Sequence, residues 1–110
     1  MNKNFRLKAS DIKPIAQGFG GCIATDRITV DGERVGYMYR DEPSDPADSG
    51  WVFMAGTESQ EYMDDPANSG VYDVNTIANY DPDIVQFLDA PAGSRFVRWA
   101  PGSPLGPEPN

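Results

Sequence analysis

Apolar positions in this chain come in short clusters that alternate with polar ones, and only one stretch repeats at helical spacing. A first strand is expected over residues 5–8, and Pro14 limits residues 10–17 to a short helical turn. "GFGGCIATD" predicts a Gly-rich entry into a strand at Gly21–Thr25. "ITVDGERVGYMYRDE" reads as a β-hairpin with arms at 28–30 and 34–40. Its Asp31-Gly32 turn accepts the positive backbone angles that tight hairpins require. In the second arm Val35, Tyr37 and Tyr39 alternate with Gly36, Met38 and Arg40, so one face carries two tyrosines. Another strand is expected over 51–55. Thr57 with Gln60 three residues on forms a capping-box pattern that opens a short helix ending before Pro66. "VYDV" reads as a further strand. The helical spacing appears in "NYDPDIVQFLDAPAG": Asp81 caps, Pro82 takes the first position, and Ile84, Val85, Phe87 and Leu88 share an apolar face. "RFVRW" is a last strand. With four prolines in eleven residues, 100–110 is expected to be a flexible tail outside a single domain at 1–99. The predicted class is α+β, a mostly antiparallel β-sheet with one or two short helices packed on a face.

One phrase is used twice. "DPADSG" at 45–50 returns as "DPANSG" at 65–70, each time before an apolar run. A calcium loop needs six to eight oxygens, including carboxylates at alternate positions and a distant bidentate Glu. Here Asp45 and Asp48 are three apart, no such Glu follows, and the second copy replaces Asp48 with Asn68. Asp-Pro opens a turn, and Asx-Ser-Gly supplies a residue tolerant of positive φ before a strand. The phrase reads as a turn used twice.

Charge changes the picture more than composition does. At 110 residues and 39 % hydrophobic, the chain suits one small globular domain. Its net charge of −8 is lopsided, however. Residues 1–40 hold seven Lys and Arg against four Asp and Glu, whereas 41–94 hold twelve Asp and Glu with no basic residue. Such a segment cannot neutralise itself by internal ion pairs. It presents a negative field that repels nucleic acid and anionic membranes and attracts basic partners, or else it is a solubilising face. If a basic partner is recognised, the candidate contacts are Asp41, Glu42, Asp45 and Asp48 with Trp51 beside them, and Asp64 and Asp65 opening the second copy. Asp81 and Asp83 are expected to be occupied at a helix N-terminus.

Absent residue types narrow the chemistry. The chain has no His, which removes Ser-His-Asp and Cys-His nucleophiles and His-ligated zinc. Cys22 is alone and reads as a small core residue rather than a reactive thiol. "GFGG" at 18–21 lacks a Walker lysine and precedes a strand, so it reads as a turn. No catalytic, cofactor or metal residue is assigned. No apolar run approaches the roughly 20 residues that span a bilayer, and no signal peptide is recognised, so the cytoplasm is the expected location.

The runs "CIATDRITVDGERVGYMYRDEP", "DSGWVFMAG" and "EYMDDPANSGVYDVNTIANYDPDI" resemble immunity protein family thirty-three of bacterial polymorphic toxin systems, formerly a domain-of-unknown-function family, over roughly residues 20–95. The resemblance implies a small, cytoplasmic, non-enzymatic protein that binds and neutralises a cognate toxin, and it carries over no specific functional residue. The acidic segment is compatible with a basic toxin. The alternative from another class is a small-molecule-binding or regulatory domain with a pocket on the sheet.

Overall fold

The computed structural model describes residues 3–100 and 102–108. Among the described residues six strands form one sheet: β1 (Gly21–Thr25), β2 (Tyr37–Arg40), β3 (Asp48–Met54), β4 (Ser69–Asp73), β5 (Arg95–Val97) and β6 (Gly106–Pro107). Their spatial order is β4-β1-β3-β2-β5-β6. Only β1 and β3 run parallel, and every other neighbouring pair is antiparallel. The described residues also form three short α-helices, α1 (Asp26–Thr29), α2 (Gln60–Asp64) and α3 (Val74–Tyr80), and short 3-10 turns. The fold is α+β, as the sequence predicts.

Side chains alternate across a strand, so the sheet has two chemically different faces. Cys22, Ala24, Met38, Trp51, Phe53 and Phe96 point to one face, and all are buried. They meet Ile28 of α1, Ile77 and Ala78 of α3, and Ile84 and Leu88 beyond it, in one continuous core. The indole N–H of Trp51 donates to the Leu88 carbonyl at 3.2 Å, which satisfies the polar end of the largest core side chain. The opposite face carries a row of directly paired residues: Val71, Ile23, Val52, Tyr39 and Arg95. Along that row Val71, Ile23 and Arg95 are exposed and Tyr39 is half-buried, whereas Val52 is only 7 % exposed.

One buried carboxylate ties the layers together. Asp81 accepts from Arg98 at 2.8 Å, Arg34 at 3.1 Å and the Val35 backbone at 3.0 Å. It also caps the 3-10 turn Pro82–Phe87 by accepting from Asp83 N at 3.1 Å. Losing one partner of such a buried cluster would leave an uncompensated charge in the core.

Several expectations are corrected. Residues 5–8 form no strand; Arg6 N donates to Thr29 O and Leu7 N to the Tyr80 hydroxyl, and a 3-10 turn follows at Ala9–Asp11. The first hairpin arm is instead helix α1, because Ile28 and Thr29 bury against neighbouring elements. Gly32, at φ +78°, ends that helix rather than turning a hairpin. The left-handed backbone that Asp-Gly favours serves a helix exit as well as a tight turn. Helix α2 is capped by Ser59, whose hydroxyl accepts from Tyr62 N at 3.1 Å, not by Thr57. The expected helix after Asp81 is a 3-10 turn, and the longest α-helix precedes it. The expected flexible tail is set down on the domain: Leu105 is 6 % exposed within the core, and β6 pairs with β5. Only positions 101 and 109–110 of that segment lie outside the described residues.

Candidate functional site

The acidic loop between β2 and β3 is built by its own carboxylates. Asp45 accepts from Ala47 N at 2.7 Å, and its carbonyl accepts from Asp48 N at 3.1 Å. Asp48 accepts from Ser44 N at 2.9 Å and Ser44 Oγ at 3.0 Å through one oxygen, and from Gly50 N at 2.9 Å through the other. Those backbone and hydroxyl donors hold its carboxyl below the ordinary aspartate range. The loop is pinned to β1, since Gly21 N donates to Ala47 O at 2.7 Å and Ser49 Oγ to Gly21 O at 2.6 Å. Asp41 and Glu42 are exposed beside it.

The second copy folds the same way. Asp65 accepts from Ala67 N and its carbonyl from Asn68 N, both at 3.0 Å, while Asn68 Nδ2 donates to Tyr62 O. The two copies nevertheless lie apart. Copy one enters β3 and copy two enters β4; β3 is parallel to β1, and β4 is antiparallel to it. The first loop therefore sits at the Gly21 end of β1 and the second at the Thr25 end, roughly 13 Å of strand away. Asp41, Glu42, Asp45 and Asp48 come together, and Asp64 and Asp65 do not join them. Trp51 is 1 % exposed in the core, so it offers no surface anchor. Immediately after Gly50, the sheet pleat turns it inward.

The residues beside the loop that sequence reasoning passed over are Ile23 and Val71. They form a cross-strand pair, 43 % and 78 % exposed, and line a cleft of about 340 Å³ with Ala47, Asp45 and Asp48. Alternation was the available signal, because Ile23 stands between buried Cys22 and Ala24. Burial, with Asp73 and Asp48 nearby, pushes the Cys22 thiol up to about 12, which keeps it protonated and inert. Burial and the charge of Asp41 likewise push up the Tyr39 phenol, so this acid is felt on the open face of the sheet.

Glu58, Asp81 and Asp83 are committed to structure. Burial raises the Glu58 carboxyl, but donors outweigh it: Thr25 Oγ1 at 2.5 Å and the amides of Ala55 and Gly56, both at 2.8 Å, bring it below its usual value. Asp81 and Asp83 pair with arginine. Among the described residues, no other acid of 41–94 has a basic group within 4.0 Å, and no three His, Cys, Asp or Glu side chains are placed to hold a metal ion.

A larger groove of about 1090 Å³ opens at the far end of the sheet, against Tyr37, Met54, Val97, Trp99 and Arg34. Arg98 lines it too, but its guanidinium is engaged by Asp81, Ser103 O and Val35 O.

The family model for the Immunity protein Imm33 domain matches residues 22–105, most of the chain. The chain belongs to the Imm33 immunity protein family. No match was found among curated proteins or solved structures. The Imm33 match reaches Leu105, so the segment expected to be a loose tail carries a core residue of the family domain. No helix among the described residues is long and apolar enough to cross a membrane.

Proposed function

We propose that this Imm33 protein is a non-enzymatic cytoplasmic binder that neutralises a cognate bacterial toxin. It recognises a basic surface of that toxin through the loop at the Gly21 end of β1. The observation that carries this reading is the grouping of Asp41, Glu42, Asp45 and Asp48 on one short, internally bonded loop, with no basic side chain in ion-pair reach among the described residues. A fixed cluster of exposed carboxylates steers a basic partner and accelerates its encounter. Preorganisation lowers the entropy lost when the complex forms.

Asp45 and Asp48 also hold the loop, so the clean test reverses Asp41 and Glu42. The Asp41→Lys/Glu42→Lys protein should keep its urea midpoint. Its association with the cognate toxin should slow about tenfold or more at low salt, with a flatter salt dependence. Co-expression should then rescue growth less well than the parent does. An unchanged rate and salt slope would reduce the acidic loop to a solubilising face.

A further inference from the structure

We infer that the open face of the sheet beside this loop, centred on Val71 and Ile23, is the apolar anchor onto which the basic partner docks. The inference rests on the toxin-binding reading and assigns it a contact surface. Exposed aliphatic residues are common singly and mean little alone. Here three observations coincide. Val71 and Ile23 are directly opposite on neighbouring strands, and both side chains stand in solvent. Their row continues through Val52, which is 7 % exposed, to half-buried Tyr39, on which the Arg95 guanidinium lies at 5.8 Å. The cleft beside the pair is also lined by Ala47, Asp45 and Asp48.

Charge selects the occupant. A side chain entering the cleft meets both methyl groups and carboxylates, which suits the aliphatic stem and cationic head of Lys or Arg. A second copy of this chain would bring the same acids against these, so like-charge repulsion opposes self-association through this face. Nucleic acid and anionic lipid are repelled for the same reason. The partner is therefore a protein surface that places a Lys or Arg next to apolar residues.

The loop and the patch should contribute differently. Exposed carboxylates act on encounter, whereas buried apolar contacts act on residence time. The experiment uses the full chain and the cognate toxin domain, inactivated by substitution. It compares the parent, Val71→Ser/Ile23→Thr and Val71→Lys by binding kinetics, with urea unfolding as the control on folding. The double variant should bind about tenfold or more weakly, through faster dissociation, with its association rate and salt slope unchanged. Val71→Lys is the safeguard against a folding artefact: its site is exposed, so it should stay folded and still bind at least tenfold more weakly. If both variants bind within about twofold of the parent while the Asp41→Lys/Glu42→Lys protein does not, the inference is wrong and the acidic reading stands. If the parent itself does not bind the toxin, both fail together. A parent that sediments as a dimer, and a Val71→Lys variant that is monomeric, would assign the patch to a second copy and overturn the proposal.

Discussion

Asp45 and Asp65 make the same bonds in the two copies of the turn, yet the residue after the shared Ser-Gly meets opposite fates. Trp51 is the largest side chain in the core, and Val71 is 78 % exposed. Copy one feeds a strand between two neighbours, whereas copy two feeds a strand at the sheet edge. The glycines differ as well. Gly50 has φ +83°, and a side chain there would collide with the Asp41 carbonyl oxygen. Gly70 has an ordinary backbone, and a Cβ would press on the Tyr72 side chain, at 2.7 Å from its hydroxyl, rather than on backbone. The turn is a local property of six residues. What it delivers is decided by which strands pair, and that depends on the whole chain.

The two copies should differ most at the apolar residues that follow them. Trp51→Ala should cost about 3–5 kcal/mol in urea unfolding, because it opens a cavity and strips the Leu88 carbonyl of its donor. Val71→Ala should change stability by no more than about 0.5 kcal/mol. Similar losses at both sites would mean that the strands are not buried as described. The glycines give the next largest effect. Gly50→Ala combines a left-handed backbone with a backbone collision and should cost about 3 kcal/mol, against about 1 kcal/mol for Gly70→Ala. If Gly70→Ala were the more damaging, the two copies would not differ in backbone as stated.

The smallest effect separates Asp48 from Asn68 and is a matter of pH. The folded Asp48 carboxyl lies below its ordinary value, so its stabilisation is fully present above about pH 4 and is lost as pH falls through the depressed value. Asp48→Asn should differ most from the parent near neutral pH and converge with it in acid. Asn68→Asp removes the donor to Tyr62 O and puts a charge there, so it should lose stability at neutral pH and regain part of it on protonation. Parallel stability curves for parent and Asp48→Asn between pH 2 and 7 would show that the carboxylate is not held as the geometry requires.

What was legible in the sequence was local. The strand Gly21–Thr25, the doubled turn and the capping role of Asp81 follow from glycine placement, Asx chemistry and alternation within a few residues. The misreadings were settled by distant partners. Residues 28–30 have strand-like composition, yet Ile28 and Thr29 gain more by burying as a helical turn, and packing overrides a propensity of about 1 kcal/mol or less. Asp81 is drawn into the core by Arg98 and Val35, seventeen and forty-six residues away, which no window of sequence displays. The site divides in the same way. The acids of 41–48 were legible as a group, but the separation of Asp64 and Asp65, the inward turn of Trp51 and the exposure of Ile23 and Val71 depend on strand order.

The segment that closes the sheet beyond β5 bears on how copies of this protein behave in a crowded cell. β6 is two residues long, and one of them, Pro107, has no backbone N–H to offer a further strand. Fibre growth by edge-to-edge addition needs two usable edges on every subunit, so that each newcomer leaves a fresh one behind. With one edge blunted by proline, addition along β4 would end at a closed pair instead of a lengthening filament. The proline-rich segment expected to be loose thus leaves the β6 edge one backbone donor short for any further strand.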